Sequence, residues 1–80
     1  MKEPISITHN PDKTILRQVR ERMGITQRKM AELFSISQPY IHFLETKRDR
    51  MNLQHTSLLV ELAAKHGIII QIADIQSDYF

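Results

Sequence analysis

Gln38 and the polar residues on either side of it offer hydrogen bonds and cations rather than nucleophiles or acid–base pairs. A glutamine amide carries both donors and an acceptor, and it can pair in bidentate fashion with the edge of an adenine. Such a pair is worth ~1–3 kcal/mol of discrimination against the wrong base. Tyr40, His42 and Phe43 follow Gln38 at spacings that place them along the same exposed helical surface. Phe43 either meets a thymine methyl or packs on the segment after its helix, and His42 is a phosphate or base neighbour rather than a metal ligand. A second group is Thr26, Gln27 and Arg28, and a third is Lys47, Arg48 and Arg50, with Ser37 between them. These suit phosphate oxygens: backbone N–H groups and the dipole at a helix start attract anions, and a cluster of cations does the same. Such contacts position a protein on a duplex without reading sequence. The alternative for each is a solvated polar surface.

Catalytic chemistry finds no matching pattern. His9, His42, His55 and His66 show no paired helical spacing, the chain has no cysteine, and its acids are scattered. Two glycines cannot build a phosphate-cradling loop. The expectation is that the chain is not an enzyme and holds neither metal nor cofactor.

The elements that would carry the polar groups lie in residues 26–45, which read as two short amphipathic helices. Only Ser35, Ile36 and Ser37 separate them. So tight a joint forces a steep crossing, and it lets the second helix, residues 38–46, enter a DNA major groove. Thr26 and Ser37 are suited to cap the two helices. Met30, Ala31, Leu33 and Phe34 form the expected buried face of the first, and Ile41 and Leu44 that of the second. Upstream, Asn10, Pro11 and Asp12 read as the start of a helix that carries Ile15, Leu16, Val19 and Met23 and stops at Gly24. Downstream, residues 46–55 read as a polar loop. A further helix is expected over about residues 56–66, with Leu58, Leu59, Leu62 and Ala63 inward.

Residues 68–75 are dense in isoleucine and read as a strand. One strand needs a partner for its backbone groups. The two options are its own copy in a second subunit, which we favour, and Ile5 to Thr8 of the same chain. The first option assigns Ile68, Ile69, Ile70, Gln71, Ile72, Ala73 and Ile75 to a dimer interface. The chain thus divides into an N-terminal arm (1–10), a DNA-binding domain (11–67) and a C-terminal strand and tail (68–80).

With 80 residues the chain makes one small domain, whose core alone supplies only modest stability. The absence of cysteine excludes disulfides and points to the cytoplasm, and no apolar run approaches a membrane span or a signal segment. The net charge of +2 is unevenly spread. Residues 13–50 hold nine basic and four acidic side chains, whereas residues 51–80 hold one and three. A basic segment beside a mildly acidic tail fits a polyanion on one face.

Gly24-Ile25-Thr26-Gln27, Met30-Ala31-Glu32-Leu33 and Ile36-Ser37-Gln38 with Ile41 and Leu44-Glu45 resemble the Cro/cI (Xre-type) helix-turn-helix regulators over roughly residues 14–66. The resemblance implies an all-α, lambda-repressor-like bundle of four to five helices, here followed by a C-terminal β-strand for dimerisation. It implies that Gln38 reads a base and that Gln27 rests on the DNA backbone. It also implies a structural ion pair between Arg20 and Glu45, which removes Arg20 from the DNA contacts. The Ser37-Gln38-Pro39 run and the terminal strand resemble more particularly antitoxins of the HigA and HipB kinds. The chain departs from the family at Ser35, where glycine is usual, and in a longer segment between the third and fourth helices.

The expected function is a homodimeric repressor of a palindromic operator, set in an antitoxin, a phage or plasmid regulator, or a restriction–modification controller. Tyr79 and Phe80 are candidates for touching a toxin. The competing reading is a protein-interaction module with the same fold and little DNA binding.

Overall fold

The computed structural model describes residues 3–79. In chain order the elements are β1 (Ile5–Ser6), α1 (Ile15–Met23), α2 (Gln27–Phe34), α3 (Gln38–Glu45), α4 (Leu53–Lys65), β2 (Ile68–Ile69) and α5 (Ile72–Ser77). Five helices enclose a core built from Ile15, Leu16, Val19, Met30, Ala31, Phe34, Ile41, Leu44, Leu59, Ala63 and Ile75. Ile7, Ile68 and Ile70 close it on the sheet side. Each fully buried large aliphatic contributes ~1.5–3 kcal/mol relative to exposure, before the entropy of ordering it is subtracted. No helix among the described residues is long and apolar enough to cross a membrane.

Local chemistry accounts for most helix ends. Thr14, Thr26, Ser37 and Asn52 each sit in extended backbone, and their side-chain oxygens accept an N–H three residues on. Gly24 ends α1 at φ 71°, its N–H reaching back to the Arg20 and Glu21 carbonyls. Ser35 ends α2 at φ 56°, in the left-handed region that a serine enters at some cost. Its backbone N–H bonds to Glu32, and that of Ile36 to Ala31. The joint between α2 and α3 is therefore short because one residue reverses the chain.

Several sequence expectations need correction. Asn10 does not cap α1: its side chain accepts the Asp12 N–H in a local turn, and the helix begins after Thr14. A second constraint fixes that start. Asp78, its side chain fully enclosed, accepts the Ile15 N–H at 2.6 Å and the His9 Nδ1–H at 3.0 Å. Leu33 is exposed rather than buried. The fourth helix starts at Leu53, because Asn52 caps it and shortens the loop.

The largest difference concerns residues 68–75. Only Ile68–Ile69 is strand, and it pairs in parallel with Ile5–Ser6 of the same chain, with Ile5 opposite Ile68. Bonds from Ile5 N to Gly67 O (2.8 Å) and from Ile7 N to Ile69 O (3.0 Å) complete the ladder. Pairing within one chain avoids the entropy of association, and it lets Ile7, Ile68 and Ile70 cover the core. Ile72–Ser77 is helical, since β1 is too short to extend the ladder and β-propensity yields to context. Ile68, Ile70 and Ile75 are buried in the monomer and have no side chain to give to an interface. Ile69, Gln71, Ile72 and Ala73 remain exposed. Met1, Lys2 and Phe80 lie outside the described residues, so the expectation placed on Phe80 does too.

Two substitutions test this account. Ser35→Gly should raise the urea midpoint by an amount equivalent to a few tenths up to about 1 kcal/mol, as relief of the left-handed strain exceeds the added chain entropy. Asp78→Ala should lower stability by about 1–3 kcal/mol by orphaning the Ile15 N–H, read in the same titration.

Candidate nucleic-acid interface

The α2–α3 pair is held from beneath by one ion pair. Arg20 Nε donates to Glu45 Oε2 at 2.6 Å and Nη2 donates to Oε1 at 3.1 Å, a bidentate clamp between α1 and the end of α3. The side chains are 15% and 3% exposed. Arg20 Nη1 also donates to the Ile25 carbonyl at 3.0 Å, which fixes the α1–α2 turn. Its hydrogen bond to Glu45 raises the Arg20 pKa further above its already high value, so the guanidinium stays charged.

Gln27 extends this clamp to the surface. Its Nε2 donates to Glu45 Oε1 at 3.1 Å and lies 3.4 Å from His42 Nδ1. Its Oε1 accepts from Gln38 Nε2 at 3.5 Å, the outer limit of a hydrogen bond. The first residues of α2 and α3 are thereby brought side by side, with their amides oriented by a carboxylate in the core. Nothing in the sequence pattern alone places Gln27 on Glu45.

Gln38, His42 and Phe43 are exposed on α3. Tyr40 does not share that exposure. It is half-buried against the core, and its ring meets His55 edge-on at 6.2 Å between centroids. Phe43 is 40% exposed, and the Arg48 guanidinium lies 6.0 Å from its ring centroid. The structure therefore joins the two options for Phe43: it carries the following loop on one side and leaves the other open.

Thr26 and Arg28 are exposed at the start of α2, where the first N–H groups have no intrahelical partner. Ser37 is exposed too, its hydroxyl accepting the Tyr40 N–H at 3.3 Å. Lys47, Arg48 and Arg50 project from the loop after α3. Arg28 and Lys47 have no ion pair among the described residues, whereas Lys29 lies 3.7 Å from Glu32. Lys47 itself adopts φ 65°, which turns the chain sharply where α3 ends. The α2–α3 pair thus carries two amides and an exposed aromatic, with Arg28 at the start of α2 and three cations in the loop after α3. This is the chemistry of a groove-reading helix flanked by phosphate contacts.

Other chemistry is poorly served. Among the described residues no three His, Asp or Glu side chains gather as a metal site. An open depression of about 400 Å³ lies beside Ile7, Asn10, Lys13, Gln18, Glu21 and Arg22, away from α3. There Lys13, and then Arg17, hold the Glu21 carboxyl below its ordinary pKa.

Comparison with known families gives one finding. The Helix-turn-helix family model matches residues 16–60, more than half of the chain. The match spans the Arg20–Glu45 clamp, both helices of the pair and the basic loop. No curated protein and no solved structure shows a significant match.

Glu45→Ala should cost roughly 2–4 kcal/mol in chemical denaturation, a range that allows for the slight exposure of Arg20. The same change frees Gln27, so the amide exchange of Gln27 and Gln38 should rise with it.

Proposed function

Because the chain belongs to the Xre/Cro-type helix-turn-helix family, a family of DNA-binding regulators rather than enzymes, we propose that it acts as a homodimeric repressor. It binds a palindromic operator by placing α3 in the major groove. Gln38 reads a base edge, with His42 and the open side of Phe43 next to it. Gln27, Thr26, Arg28 and Ser37 meet the backbone on one flank, and Lys47, Arg48 and Arg50 meet it on the other. The observation that carries this reading is the Glu45–Gln27–Gln38 chain of contacts, which sets the preoriented Gln27 amide at the start of α2 beside Gln38 at the exposed start of α3. Preorientation matters because a glutamine immobilised before binding loses less rotamer entropy on contact.

Two copies would present their α3 helices ~34 Å apart, one helical turn of DNA. The exposed Ile69 and Ile72 support a dimer contact on the β2–α5 side, alongside Gln71 and Ala73. Occupying the operator would block polymerase or recruit a partner. Among the possible settings we place first an antitoxin that represses its own gene and binds a toxin. An interaction module with no DNA ligand is the competing reading.

Sedimentation of the purified chain, alone and with the DNA upstream of its own gene, tests the proposal. A dimer that shifts this duplex specifically is the expected result, and a monomer that ignores it would sink both parts. In a substitution pair, Gln38→Ala should lose ~1–3 kcal/mol of discrimination at one base position. Lys47→Ala should weaken all sequences alike and lower the salt slope by about 1. Identical behaviour of the two variants would show that base reading and phosphate contact are not separated as proposed.

A further inference from the structure

The last described turn of the chain touches the two ends of the bundle that matter most. Asp78 holds the first N–H of α1, as described above. Its neighbour Tyr79 reaches in the other direction, and its hydroxyl donates to the Leu44 carbonyl at 2.9 Å. Leu44 lies in the last turn of α3, where carbonyls have no intrahelical partner. Immediately beyond it the backbone is demanding. Thr46 N–H bonds to His42 O, Lys47 turns left-handed, and Arg48 N–H reaches back to Phe43 O at 2.9 Å. Burial, followed by the fields of Asp78 and Glu45, pushes the Tyr79 phenol above the ordinary tyrosine pKa, so it remains a donor throughout the neutral range.

We infer that Tyr79 is a positioning residue for DNA reading: its hydroxyl, anchored through Asp78, holds the end of α3 and the turn carrying Lys47 and Arg48 in the orientation that specific binding requires. The inference rests on the reading of α3 as the groove helix. Gln38 at the start of α3 and Lys47 and Arg48 past its end must meet base and phosphates at the same time. A loosened helix end penalises that simultaneous fit. It costs little in non-specific binding, where cations find phosphates in many arrangements. A residue 35 positions away from the carbonyl it caps thus sets the geometry of a contact it never makes itself.

The test compares wild-type chain, Tyr79→Phe and, as a control, Ile7→Val, which trims the core under β1 without touching α3. The probes are the duplex that the wild type enriches from a randomised pool and a random-sequence duplex, both measured below the melting transitions of all three proteins. Tyr79→Phe is expected to bind the enriched duplex about five- to tenfold more weakly and the random duplex within about twofold, with Ile7→Val matching wild type on both. An unchanged ratio in Tyr79→Phe, or an equal loss in Ile7→Val, overturns the inference and leaves the DNA reading standing. A wild-type chain that enriches no sequence overturns the DNA reading and the inference with it.

Discussion

The bidentate pair between Arg20 and Glu45 is the interaction on which the rest of the domain depends. It lies where α1, the start of α2 and the end of α3 meet, and one guanidinium serves all three: two bonds to the carboxylate and one to the Ile25 carbonyl. Taking two charges from water is costly, and the cost is recovered only when geometry and hydrogen bonding are nearly complete. Gln27 completes them by donating to the same carboxylate. The requirement that stabilises the core therefore also orients the first amide at the surface. One atom, Glu45 Oε1, thus belongs both to the buried clamp and to the orientation of the Gln27 amide.

A second constraint comes from the chain's own ends. The β1–β2 pair is only two residues long, too short to persist as an isolated sheet. It survives because Ile7, Ile68 and Ile70 are seated in the core beneath it. Asp78 then bonds to both His9 and the start of α1, so the N-terminal segment, α1 and the C-terminal turn form one closed unit. The face of α3 lies on another side of the bundle, and Tyr79 links the two. This arrangement leaves the outer surface of β2 and α5 open while their inner faces complete the monomer.

Much of the α2–α3 pair was legible in the sequence because it depends on local rules. Thr26 and Ser37 cap their helices whatever surrounds them, Ala31 fits where two helices cross, and a three-residue joint between amphipathic segments has few geometries. Expectations failed where a distant partner decided the outcome. Asn10 had the right chemistry for a cap, but Asp78, 63 residues from Ile15, set the start of α1. Tyr40 occupies a helical position that looks exposed, yet His55 and the core receive its ring. Leu33 reads as inward by periodicity and lies outward, since the α2–α3 crossing places Met30, Ala31 and Phe34 against the core instead.

The isoleucine-rich segment after Gly67 marks the boundary most clearly. The sequence by itself determined that the chain would be extended at Ile68 and Ile69, and that α2 and α3 would form a tight pair bearing Gln38 at an exposed helix start. Local propensity and side-chain periodicity suffice for that. Only the tertiary structure decided that the strand pairs with Ile5 and Ser6, that residues beyond Gln71 coil into a helix, and that Asp78 and Tyr79 secure α1 and α3. Those outcomes depend on which backbone groups are left unpaired when the bundle closes, a quantity that no stretch of sequence contains.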